Sequence, residues 1–94
     1  MTPDQIFELI SRRRRQILVH SVLYYKMNES LISDSQWSKW AVELEELQEK
    51  YPEIADKCCY ADGFRNFDHS SGYDLPLNDP SAENKARQLL LWSK

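Results

Sequence analysis

The sequence predicts an all-α domain: a hairpin of two long helices, then one or two shorter helices and an ordered loop. Three observations carry this. Residues 4–27 and 34–51 contain neither Gly nor Pro. Each of these stretches opens on a Thr/Ser-x-x-Gln pattern, Thr2-Pro3-Asp4-Gln5 and Ser33-Asp34-Ser35-Gln36, which suits a capping box. Each then repeats apolar residues at helical spacing.

The first helix starts at Thr2, which can cap, with Pro3 at the first helical position, where its missing N–H costs nothing. Its apolar stripe is Ile6, Ile10, Ile17 and Tyr24, joined by Phe7, Leu18 and Val22. Asn28-Glu29-Ser30 ends it near Met27. Asp34 then favours the positive end of a second helix. That helix carries Trp37, Trp40, Leu44, Leu47 and Tyr51 at alternating steps of three and four, the clearest amphipathic pattern in the chain. Glu46 and Lys50 form an i,i+4 pair on its wet side. Pro52 stops it, and the short connection predicts an antiparallel hairpin over about 3–54. Residues 53–60 suit a short helix ending near Asp62-Gly63. Residues 64–78, FRNFDHSSGYDLPLN, read as a loop with aromatic anchors and turn signals. Asp79-Pro80 opens a last helix.

Length and composition bound the function. The 94 residues suit a single domain over 1–94 with a modest core. The apolar share is 41% and the net charge is −3, which disfavours DNA binding over the whole surface. No apolar run is long enough for a membrane span, and the first ten residues look like helix and not like a signal peptide, so a cytoplasmic location is the default expectation. Cys58 and Cys59 are the only cysteines. Adjacent cysteines rarely pair, no spaced Cys/His set accompanies them, and two small apolar side chains in a helix is the plain reading.

Asp34, Trp37 and Ser38 stand at i, i+3 and i+4, so they share a face at the start of the second helix. A hairpin brings Tyr24 and Tyr25 to that end. Aromatic walls, a carboxylate and a positive helix terminus suit a flat, partly cationic ring bearing hydroxyls. The plain alternatives are core packing for Tyr24, Trp37 and Trp40, and a helix-start charge for Asp34. His20 reads as a partly buried hydrogen-bonding residue, and His69 has no neighbours that name it as a base.

Residues 20–54, HSVLYYKMNESLISDSQWSKWAVELEELQEKYPEI, resemble the small N-terminal helical domain of NAD-dependent DNA ligases. The shared features are a histidine before an aromatic pair, a turn, an Ile-x-Asp helix start, an aromatic three residues on, an E-L-x-x-L run and a closing Tyr-Pro-Glu. The resemblance covers about residues 12–54. It implies a site for NAD or nicotinamide mononucleotide at Tyr24, Tyr25, Asp34, Trp37 and Ser38. Trp37 stands where the family usually has Tyr, and Ser38 where it usually has a second Asp. The 64–78 segment does not match ligases and looks like one found in small phage-encoded ligase-like proteins. Tyr60 stands in YADG where a ligase would carry its nucleophilic lysine, so the chain is expected to be no enzyme by itself.

Arg12, Arg13, Arg14 and Arg15 form the one dense positive cluster. Successive helical residues turn by about 100°, so the four cannot form a stripe. Some must pack their stems along the hydrophobic face with their heads snorkelling to water, and no more than two should reach one partner. A solvated or salt-bridged cluster is the leading reading, and contact of the exposed ones with phosphates of a nucleic acid or with an acidic partner is the alternative. The loop aromatics, Phe67 and Tyr73 among them, are the kind of anchors a partner protein uses. These features rank a phage-encoded module binding a host protein or nucleoprotein first. A nicotinamide-nucleotide-binding module comes second and a nucleic-acid-binding accessory third.

Overall fold

A computed structural model describes residues 2–65, 67 and 75–93 as four helices: α1 Pro3–Met27, α2 Asp34–Lys50, α3 Pro52–Lys57 and α4 Pro80–Ser93. The helix starts are chemically explicit. The Thr2 hydroxyl accepts from Gln5 N–H at 3.2 Å while Gln5 Oε1 accepts from Thr2 N–H at 2.9 Å, a complete capping box. The Ser33 hydroxyl accepts from Gln36 N–H at 3.1 Å. At the far end of α1 Asn28 turns left-handed with φ 53°, and the Leu23 carbonyl accepts from both Asn28 N–H and Glu29 N–H. Asn tolerates that conformation better than most residues.

α1 is the axis of the molecule. Twenty-five residues at 1.5 Å each give about 37 Å, close to the 38 Å longest extent of the fold. α2, α3 and α4 all pack on it, and α2 also meets α3. The buried surface of α1 is therefore wider than the expected stripe. Ile17, Leu18 and Val19 are all buried, as are Ser21, Val22 and Leu23, because neighbours approach from several sides. Phe7 and Tyr24, assigned to the stripe, are instead exposed. Their chain neighbours Ile6 and Leu23 are buried, so the covered face of α1 passes beside these two residues.

Cys58, just after the end of the short α3, is buried, while Cys59 beyond it is exposed; both thiols are free. The chain then turns through Tyr60, at φ 62°. Phe64 and Leu75 are both buried in the core, and most of the loop expected over 64–78 lies outside the described residues. Gly63 sits so close to Pro76 that a Cβ there would lie 2.8 Å from the ring Cδ. The Asp79 carboxylate starts α4 by accepting from Ala82 N–H at 2.9 Å, and the same oxygen accepts from the Tyr60 hydroxyl at 2.9 Å. No described helix is long and apolar enough to cross a membrane.

Candidate ligand cleft

The α1–α2 connection leaves an open cleft of about 230 Å³. Tyr24, Tyr25, Asp34, Trp37 and Ser38 all line it, together with Ser21, Ser30 and Ser33. The turn is shaped by the Ser30 hydroxyl, which donates to the Ile32 carbonyl at 2.8 Å. Asp34 occupies the first turn of α2 and is exposed, so its carboxylate faces water at the positive end of a helix.

The aromatic wall has two parts. Tyr24 and Tyr25 stand edge to face at 4.9 Å, and Tyr24 is 55% exposed, which removes it from the core. Trp37 is half-buried and fixed: its indole N–H donates to the buried Ser21 hydroxyl at 3.3 Å, and its ring meets Phe67 at 6.4 Å. One aromatic wall is thus rigid and the other is open to solvent. His20 lies behind the cleft with its ring 5.7 Å from Trp40. It is half-buried, as expected, and among the described residues its buried Nδ1 has no hydrogen-bond partner. Burial pushes its pKa down, so the ring favours the neutral form.

The four arginines separate as the helical turn requires. Arg12 is exposed and pairs with Glu8. Arg13 lies half-buried over Trp40, with its Nε donating to Glu43 at 3.0 Å and an NH donating to Gln16 at 2.7 Å. Arg15 is exposed. Arg14 departs from the snorkelling expectation because its head turns inward and the residue is 2% exposed. Its Nε donates to Gln48 Oε1 at 2.8 Å, and NH1 donates to the carbonyls of Ala55 and Cys59 at 2.9 and 3.1 Å. Phe64 lies beneath the guanidinium at 5.7 Å. These carbonyls come from the end of α3 and the turn after it, where a cation satisfies acceptors that no further helical turn would. Arg14 is therefore part of the fold and out of a partner's reach. Phe67 is half-buried against Phe64 and Trp37 and also serves the interior. Tyr73 lies outside the described residues. Sequence reasoning missed Ser21, Ser30 and Ser33 as cleft residues; the bend between the helices, full of serines, was the available signal.

An all-helical module with an aromatic and acidic cleft at the mouth of a helical hairpin is thus the class of protein defined here. Its relatives are DNA ligases. The chain is 30% identical to the DNA ligase of Fervidobacterium nodosum over 95 residues, covering 93% of this chain and 14% of that ligase. It is 32% identical to the DNA ligase of Pseudothermotoga lettingae over 94 residues, 92% of this chain and 14% of the ligase. The DNA ligase of Thermotoga petrophila matches at 35% over 52 residues, 55% of this chain and 8% of the ligase. The chain is therefore similar, over almost its whole extent, to a segment about one-seventh the length of those ligases. The similarity reaches beyond residues 12–54 and runs on through 64–78, which were expected to fall outside it. No family model matches the chain, and no solved structure matches it.

Proposed function

We propose that the chain is a ligand-binding module that holds a nicotinamide nucleotide in the α1–α2 cleft and does no chemistry on it. The observation that supports this is the convergence of Tyr24, Tyr25, Asp34, Trp37 and Ser38 on one cleft, in a chain similar to DNA ligases. The cationic nicotinamide ring would stack on the tyrosine faces, with Trp37 as the fixed backstop. Asp34 would accept from the ribose hydroxyls and balance the ring charge. A cleft of about 230 Å³ falls below the roughly 300–1,000 Å³ usual for drug-sized ligands, which suits the ring and part of its sugar better than a whole dinucleotide. Ser38 offers a hydroxyl in place of a second carboxylate, so binding should be weak.

Calorimetry with nicotinamide mononucleotide, NAD and AMP tests the reading. The first two should bind with quenching of tryptophan fluorescence, AMP should not, and Asp34→Ala should abolish the heat. That substitution should change stability by about 1 kcal/mol at most. No heat at millimolar mononucleotide would refute the proposal. Incubation with NAD should leave the intact mass unchanged, because no lysine lies in a nucleotidyl-transfer motif; an AMP adduct would show catalysis.

A second reading, a phage-encoded module docking on a host protein, draws on Leu91 and Trp92, which are 74% and 70% exposed near the end of α4. Large apolar side chains in that setting suit a partner. Loss of partner capture on Trp92→Ser, with nucleotide binding intact, would favour it.

A further inference from the structure

A second cavity, about 480 Å³, lies between α1 and α4. This volume falls within the usual range for small-molecule sites. Its floor is apolar: Leu18, Val19 and Ala82 are buried there, with Leu89 at one side. Its rim is cationic. Arg12 and Arg15 stand three apart on α1, so they share a face, and Lys85 reaches the same groove from α4.

The acids nearby are already engaged. Glu8 pairs with Arg12, Glu83 binds Lys26 at 2.5 Å, and Asp79 holds Tyr60 and the start of α4. Among the described residues no carboxylate pairs with Arg15 or Lys85. The Arg15 guanidinium lies 4.0 Å from the Cys59 sulfur, and the Lys85 ammonium sits 5.1 Å over the Trp92 ring. Like charges gathered over an apolar floor repel one another, and an anion placed among them would relieve that repulsion. A nucleic-acid backbone would use the cations and leave the floor unfilled, whereas an anionic head on an apolar body uses both.

We propose that the α1–α4 groove binds a small amphipathic organic anion, its carboxylate or phosphate held between Arg15 and Lys85 and its apolar body lying on Val19, Ala82 and Leu89. Arg12 completes the rim on exchanging Glu8 for the ligand. This site does not depend on the nicotinamide reading. The two cavities share only His20.

Titration of the labelled protein with decanoate, followed by methyl NMR, tests the assignment. Signals of Val19, Ala82 and Leu89 should shift saturably. Uncharged decanol should bind at least tenfold more weakly, and so should decanoate to the Arg15→Gln, Lys85→Gln double variant. Both residues lie at the protein surface, and the circular dichroism of the variant should match the parent. Decyl phosphate in parallel shows which head group is preferred, and either result supports the proposal. No shift at millimolar decanoate, equal affinity for decanol, or shifts confined to the Trp37 cleft would overturn it. Shifts at these residues with duplex DNA but not with decanoate would assign the groove to phosphate backbones, also overturning it. Co-sedimentation with phosphatidylglycerol vesicles, without binding of free decanoate, would assign it to a membrane surface with the same consequence.

Discussion

Replacing Arg14 with Met tests whether a buried cation ties α1 to α3. The substitution keeps most of the apolar stem but removes donors to Gln48, Ala55 and Cys59. Hydrogen bonds from a charged donor contribute about 1.5–3 kcal/mol each. They do not simply add, because the Ala55 carbonyl keeps a second donor in Cys58 N–H at 3.2 Å. Against the loss stands the relief of a buried charge, since desolvation costs several kcal/mol per ion; the same desolvation holds the Arg14 pKa below its ordinary value. The net expectation is a destabilisation of about 2–4 kcal/mol, within a total of roughly 5–14 kcal/mol for a chain this size. At about 4–8 °C per kcal/mol, the melting temperature should fall by roughly 10–30 °C. Urea and thermal unfolding followed by circular dichroism would measure it. Arg14→Lys keeps the charge but not the planar fork, and should fall between Met and the parent. Arg12→Met, on the exposed side, should stay within about 0.5 kcal/mol of the parent. If Arg14→Met proved as tolerable as Arg12→Met, the claim that this cation organises the α3 end would be wrong.

Gly63→Ala should destabilise by about 1–3 kcal/mol, because the new methyl meets the Pro76 ring at 2.8 and 2.9 Å and a pyrrolidine cannot swing aside; unfolding at unchanged denaturant midpoint would refute the contact. Tyr60 should titrate at about 12, pushed up by burial and then by its bond to Asp79. Its folded value exceeds the unfolded one, so its contribution is complete below about pH 10 and is lost as the pH rises toward 12. Ultraviolet titration should show a late-titrating component that Tyr60→Phe removes, and the variant's stability should fall less steeply over that window. Trp37→Phe should leave the buried Ser21 hydroxyl without its indole donor, costing about 1–2 kcal/mol; chemical denaturation should detect the loss.

The helix starts were legible because capping is local: Thr2 with Gln5, and Ser33 with Gln36, act within a single turn. The cleft was legible almost as well, since i, i+3, i+4 spacing on one helix and a short bend placed Asp34, Trp37 and Ser38 beside Tyr24 and Tyr25. Arg14 was not. Its partners lie 34 to 45 residues away, and those at Ala55, Cys58 and Cys59 are main-chain carbonyls, which carry no signature in a sequence. The exposure of Tyr24 was hidden for a related reason, because periodicity identifies a face but not how far neighbours extend along it. The α1–α4 groove required knowing where α4 docks, and no local pattern encodes that.

Among the helices α4 touches α1 alone, while α1, α2 and α3 all touch one another. Side-chain bonds that fasten it and the residues before it include Lys26 to Glu83 and Asn78, and Tyr60 to Asp79. Such an arrangement favours opening in parts. Amide protons along α4 should exchange as one cooperative group, at a lower opening free energy than those of Ile17 to Leu23, with the three-helix remainder still closed. Whatever occupies the groove beneath α4 would slow that exchange without touching the rest of the molecule.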